Sequence, residues 1–188
     1  MTVVATLACR AESTRLYGKP LQRVGDRSIL DRIVNQLRGV SMIDDIVLAV
    51  ADTPSKEAFK HYASSRGIPV VVGPERDVLH RVIKAGEWAD ADHIVRVTTE
   101  NPFIFTDNLS DLIGEHVRVG ADLSTTTLLP LVCAAEVVKF DALQRSHQQG
   151  SRRHRSELVT SYIYDHRDDF VIEVAQPPEP LRRPELRL

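Results

Sequence analysis

Apolar residues fall along this chain in short runs that alternate with stretches of helical spacing. Val3, Val4, Ala5, Leu7 and Ala8 form a first run without a charge, the pattern of a strand covered on both faces. Ile29, Leu30, Ile33, Val34 and Leu37 share one face of a helix that Ser28 caps and Gly39 ends. Residues 46–51 read as a second strand. A helix follows Thr53-Pro54-Ser55 and runs to about residue 66, where Gly67 stops it. Residues 70–72 make a third strand, Asp77 caps the next helix, and residues 94–97 make a fourth strand. A helix from Asn108 through residue 119 ends at Gly120. Residues 122–126 are extended, Asp141 caps a short helix to residue 143, and residues 170–174 form a late strand. This alternation predicts an α/β fold with a mostly parallel sheet.

The loop after the first run carries the candidate chemistry. Arg10, Arg15 and Lys19 stand within ten residues, with Ser13, Thr14 and Gly18 between them. A loop at the carboxyl end of a first parallel strand is where such sheets bind ligands. Cations gathered there suit a polyanion, and a nucleoside triphosphate is the expected one. A P-loop is excluded: Pro20 stands where the metal-binding Ser or Thr must be, and Ser13 where the first Gly must be. A nicotinamide-binding Rossmann site is excluded as well, because no Gly-x-Gly-x-x-Gly follows the strand.

Composition narrows the class without naming it. The 188 residues suffice for one domain with a full core. The net charge of −2 gives no bulk attraction to nucleic acid or membrane. Any anion site is therefore local. Cys9 and Cys133 make no disulfide framework, and Cys9 reads as a small buried hydrophobe. With no signal-peptide pattern and no bilayer-length apolar segment, a cytoplasmic location is expected.

Arg10-x-x-Ser13-x-Arg15-Leu16-x-Gly18-Lys19-Pro20-Leu21 resembles the signature loop of the sugar-acid cytidylyltransferases. That family includes the acylneuraminate, 3-deoxy-manno-octulosonate and spore-coat polysaccharide types. Further stretches carry the resemblance. Gly73-Pro74-Glu75-Arg76-Asp77-Val78-Leu79-His80-Arg81 is similar to a family segment beneath the nucleotide. Thr98-Thr99-Glu100-Asn101-Pro102 stands where the family has Gly-Asp-x-Pro. Glu136-Val137 and Glu157-x-Val159-Thr160-Ser161-Tyr162-Ile163 match two later motifs, with Leu158 and Ser161 replacing a His and a Pro.

The resemblance implies a three-layer nucleotide-diphospho-sugar (glycosyltransferase-A-like) domain spanning residues 1–188. It implies CTP-dependent transfer of CMP to an acidic sugar, with Mg²⁺ and release of pyrophosphate. Carried over residue by residue, Arg10 and Lys19 are catalytic. Ala8, Arg10, Ser13, Arg15, Lys19, Arg76 and Thr98 bind the nucleotide. Glu136 and Glu157 face the acceptor, and Glu100 holds the metal. Glu keeps the charge and oxygen ligands that Mg²⁺ requires, one methylene further out than Asp. The partners implied are CTP and a small acidic acceptor, with a homodimer built through the late strand. The family's second metal carboxylate lies in a segment after the position of Leu188, so that part of the site is expected to be missing. Arg152, Arg153, His154 and Arg155 are expected to be a solvated charge run. Two alternatives stay open: a phosphonate or other small acidic acceptor, and a nucleotide-binding protein without catalysis.

Overall fold

The computed structural model describes residues 1–12 and 16–187. Ser13 and Arg15, two of the expected nucleotide ligands, lie outside the described residues. The strands are β1 (Val3–Cys9), β2 (Arg23–Val24), β3 (Arg27–Ser28), β4 (Asp45–Ala51), β5 (Val70–Gly73), β6 (His93–Arg96), β7 (Leu123–Thr126), β8 (Glu136–Lys139) and β9 (Ile172–Ala175). The α-helices are α1 (Ile29–Arg38), α2 (Lys56–Ser64), α3 (Val78–Trp88), α4 (Leu109–Val119), α5 (Phe140–Gln149) and α6 (Ser161–Asp165).

Among the described residues the main sheet has seven strands in the order β5-β4-β1-β6-β8-β7-β9. β1 runs parallel to β4 on one side and to β6 on the other, and β4 runs parallel to β5. β8 alone runs against its neighbours β6 and β7. The chain leaves β1 towards β4 and β5, then crosses back through α3 to β6. The strand order therefore reverses between β1 and β6, and the crevice outside their carboxyl ends is the ligand position in sheets of this type.

Both faces of β1 are covered, which is why its sequence holds no charge. Val3, Ala5, Leu7 and Cys9 point to a core shared with α1, α2 and α4. Val4 points to a second core with α3, α5 and α6. Successive strand side chains alternate between faces, so one strand serves both layers. Helix α1 buries the five apolar residues expected of it, and Ser28 and Asp31 form a capping box at its start.

The expected elements are found, with some shifts. The late strand is Ile172–Ala175, an edge strand beside β7. Helix α5 starts at Phe140 and reaches Gln149, well past the expected end at residue 143. Asp141 is not its cap; it lies in the first turn and pairs with Arg145 at 3.1 Å. The basic run is only partly solvated. His154 is buried and sits 3.0 Å from Asp165, and Arg155 reaches to 3.8 Å from Asp77. The tail folds back on the Thr127–Leu131 segment through Leu131 N–H to Leu186 O at 3.1 Å. Among the described residues, no helix is long and apolar enough to cross a membrane.

A buried chain of polar groups closes the sheet at the opposite end from the crevice. His116 Nδ1 lies 2.8 Å from Ser124 Oγ, and His116 Nε2 lies 3.1 Å from His93 Nδ1. Burial is the main cause that lowers His116 from 6.5 to about 4; His93 and Lys139 add to it and Asp122 opposes. Burial also lowers His93, against Asp92. The His116 ring is thus neutral in the fold well below pH 6.5, while the unfolded chain takes up its proton first. Its contribution is complete above about pH 6.5 and is lost as pH falls towards 4. Acidification from pH 7 to 5 is expected to cost about 1–2 kcal/mol through His116. His116→Gln should shrink that loss, read as the change in urea midpoint between the two pH values.

Candidate active site

A cleft of about 310 Å³ opens at the carboxyl ends of β1 and β6. Its β1 side is built by Ala8, Arg10 and Pro20, and its β6 side by Arg96 and residues 97–100. Val78 and Arg81 of α3 also line it, and residues 157–159 form the remaining wall with Val132 and Ala134.

The loop after β1 is closed by its own backbone. Gly18 N–H donates to Ala11 O at 2.9 Å, and Gly18 holds φ at 64°, a conformation glycine adopts without strain. That turn sends Lys19 back across the crevice. Its Nζ stands 3.5 Å from Glu100 Oε2, with the two side chains 36% and 44% exposed. Arg10 is exposed at the cleft's edge. Thr99 Oγ1 donates to Ala8 O at 2.9 Å and so ties the two strand ends together. Thr98 lies on the cleft wall, and its Oγ1 accepts weakly from Glu100 N–H at 3.4 Å. Buried Asn101 holds the next residues, donating from Nδ2 to Val132 O at 3.3 Å and accepting from Phe103 N–H at 2.9 Å. Ala8, Arg10, Thr98 and Glu100 thereby line one crevice, and Lys19 reaches its rim through Glu100.

Of the remaining expected residues in the described part, Glu157 also lines the cleft, whereas Arg76 and Glu136 do not. Arg76 is exposed and does not line the cleft. Within that segment it is Arg81 that lines the cleft, and it is only 1% exposed. Its Nη1 donates to Pro74 O at 2.6 Å and Glu75 O at 2.7 Å, so it pins the loop that carries Arg76. Gly73 makes room for it, since a Cβ there would meet Arg81 Cγ at 2.9 Å. Burial lowers the Arg81 pKa against the pull of Cys9. Cys9 is itself pushed up to about 12 by burial, with Arg81 and Thr99 opposing. It is a thiol in the core and no nucleophile.

Glu157 lies exposed on the far wall. Glu136 does not line the cleft; it sits buried behind the wall with both oxygens engaged. Thr160 Oγ1 lies 3.0 and 3.1 Å from its oxygens, Tyr164 OH donates at 3.1 Å, and Arg96 Nη1 donates at 3.2 Å. Sequence reasoning missed Arg96. The signal was present, because Arg96 interrupts the apolar run of β6 near its carboxyl end much as Arg10 ends that of β1.

A family profile described as cytidylyltransferase matches residues 4–184. The chain belongs to the cytidylyltransferase family. An uncharacterized protein of Methanocaldococcus jannaschii is 31% identical over 188 residues, covering 100% of this chain and 77% of that protein. The spore coat polysaccharide biosynthesis protein SpsF of Bacillus subtilis is 30% identical over 191 residues, covering 99% and 80%. Among solved structures, a cytidylyltransferase from Leptospira borgpetersenii superposes with a TM-score of 0.85 at 19% identity, covering 100% of this chain and 79% of that one. A CMP:2-keto-3-deoxy-manno-octonic acid synthetase complexed with CTP gives 0.74 at 12%, covering 94% and 90%. Rv0371c of Mycobacterium tuberculosis, complexed with manganese, gives 0.67 at 14%, covering 94% and 89%. These likenesses establish the nucleotide-sugar transferase fold for this cytidylyltransferase-family chain.

The donor set limits how a divalent metal could be held. Among the described residues, no group of three or more His, Cys, Asp and Glu is placed to hold an ion. Glu100 stands at a central strand end beside the cationic loop. A lone carboxylate there fits Mg²⁺, which keeps several waters and takes its other ligands from substrate phosphates. It does not fit a metal held by the protein alone.

Proposed function

We propose that this protein transfers CMP from CTP to a small acidic sugar and releases pyrophosphate, in the making of a surface polysaccharide or related glycoconjugate. One observation supports the reading most: Arg10 and Glu100 line the two sides of the switch-point cleft, Lys19 reaches Glu100 at its rim, and Thr99 ties the strand ends together. Cations and a carboxylate at that place suit a metal-bound triphosphate.

The acceptor hydroxyl attacks the α-phosphorus in line as the bond to the β-phosphate oxygen breaks. The hydroxyl proton passes to solvent water, and pyrophosphate departs. Such chemistry needs position and charge neutralisation more than covalent help. Arg10 and Lys19 hold the phosphates and stabilise negative charge growing on the leaving group. Lys19 exchanges its Glu100 partner for phosphate oxygens, which leaves Glu100 free to hold Mg²⁺. A bound Mg²⁺ neutralises phosphate charge and makes the α-phosphorus more electrophilic. Thr99 keeps the strand ends at fixed separation, so little reorganisation is left for the reaction itself.

The test is pyrophosphate release with CTP, UTP, ATP or GTP, each with Mg²⁺ and a panel of sugar acids. CTP alone is expected to react and to raise the melting temperature. Stabilisation by another nucleotide in preference to CTP would sink the proposal. Glu100→Gln is expected to lower turnover by about 100-fold or more. It should also abolish the extra thermal stabilisation that Mg²⁺ adds to CTP, a readout independent of activity. Glu100→Gln protein that keeps the Mg²⁺ effect would remove the metal assignment.

A further inference from the structure

We propose that Arg96 is the residue that recognises the acid group of the acceptor, and that Glu136 positions it. The inference rests on the transfer reading above and names the specificity-determining side chain within it.

The cleft has two sides along the sheet. The loop after β1, with Arg10, stands on one; the β6–β8 side, with Arg96, stands on the other. Pyrophosphate must leave towards the cations of the β1 loop. An in-line acceptor oxygen must then approach from the opposite side. That wall is formed by Leu158, Val159, Val132 and Ala134, which are apolar, with Arg96 and Glu157 as its charged side chains. Apolar contacts suit a sugar ring. Exposed Glu157 suits sugar hydroxyls and repels an acid, so Arg96 is the wall's acid-binding group.

Arg96 is held ready for this. Its side chain is 24% exposed, against 11% for Glu136. Nη1 donates to Glu136 Oε2 at 3.2 Å and Nη2 to Glu157 O at 2.8 Å. Two anchors on different elements fix the plane of the guanidinium, and the fork has further N–H donors for a ligand. Glu136 is fixed in turn by Thr160 and Tyr164. Burial and the neighbouring Glu136 carboxylate raise the Tyr164 pKa, so its hydroxyl stays a donor. A salt bridge serving stability alone would not need a place on the cleft wall.

The experiment compares the wild-type protein with Arg96→Gln, Arg96→Lys and Glu136→Gln. Each is assayed with CTP, Mg²⁺, and either 3-deoxy-manno-octulosonate or N-acetylneuraminate, and with the neutral carboxamide of each acid. For Arg96→Gln, the acceptor KM is expected to rise about 100-fold while the CTP KM stays within about 3-fold. The preference for acid over carboxamide should collapse. Arg96→Lys keeps the charge without the fork and should retain part of that preference. Glu136→Gln should raise the acceptor KM by about 10-fold and leave the CTP KM alone. Melting temperatures identify any variant that has not folded, and Arg96→Lys keeps the test open if Arg96→Gln fails. If the wild type uses an acid and the folded Arg96 variants keep its acid preference, the assignment of Arg96 falls and the transfer reading stands. The assignment falls equally if both KM values rise alike. If CTP binds but the wild type uses neither acid, the acidic-acceptor reading falls, and Arg96's role with it.

Discussion

Arg10→Ala and Lys19→Ala are each expected to lower turnover by about 100- to 1,000-fold, while the melting temperature stays within about 3 °C of wild type. The two halves of this expectation have separate causes. Arg10 is exposed at the cleft edge and Lys19 keeps 36% of its side chain in solvent, so neither packs a core. The Lys19–Glu100 pair is a surface pair at 3.5 Å, of a kind worth about 0–1 kcal/mol. Losing it leaves Glu100 solvated rather than stranded. In the proposed reaction the transition state is more demanding, because negative charge would build on pyrophosphate in a cleft that the substrates fill. Donors held in place before the reaction are worth several kcal/mol there. Steady-state kinetics with CTP, paired with a thermal melt, checks both halves. Near-normal turnover in either folded variant would remove these residues from the chemistry.

Phe59→Ala gives the opposite signature, a loss of about 3–5 kcal/mol of stability. Phe59 lies on α2, is 0% exposed, and belongs to the core that also holds Leu7, Leu48 and Leu30. Removing the ring leaves a cavity that β1 and β4 cannot close. They are pinned to each other by parallel pairing from Val4–Asp45 through Cys9–Val50. At about 2–4 °C per kcal/mol for a domain of this size, the melting midpoint drops by roughly 6–20 °C. The folded fraction should still bind CTP with unchanged affinity, because the cleft lies at the strand ends and not in this layer. A loss below about 1 kcal/mol in urea unfolding would show that this layer repacks more freely than its burial implies.

Much of this architecture was legible along the chain because β-sheet burial and helix amphipathicity leave periodic marks. The uncharged run before Arg10 became the central strand, and the Ser28 to Gly39 pattern became α1. Errors arose where the pattern was interrupted. Helix α5 was expected to end at residue 143, yet it continues through Gln144, Arg145, Ser146 and His147. Polar residues on one face of a helix are silent about its length. Their place was set by partners far away in sequence: Arg145 reaches Asp122 at 2.8 Å, and His147 reaches Asp77 at 2.9 Å.

The candidate site divides along the same line. Taken alone, the amino-acid order determined the layered α/β plan, the cationic loop after the first strand, and the acid at the end of β6. Local rules of burial, capping and turn chemistry act on neighbouring residues, and neighbours are what a sequence displays. The tertiary structure decided which side chains meet. It set Lys19 against Glu100, put Arg81 on the cleft in preference to Arg76, and turned Glu136 inward to hold Arg96. Those outcomes depend on strand order and on the distance between strand ends, and the chain acquires both only when remote segments pack together.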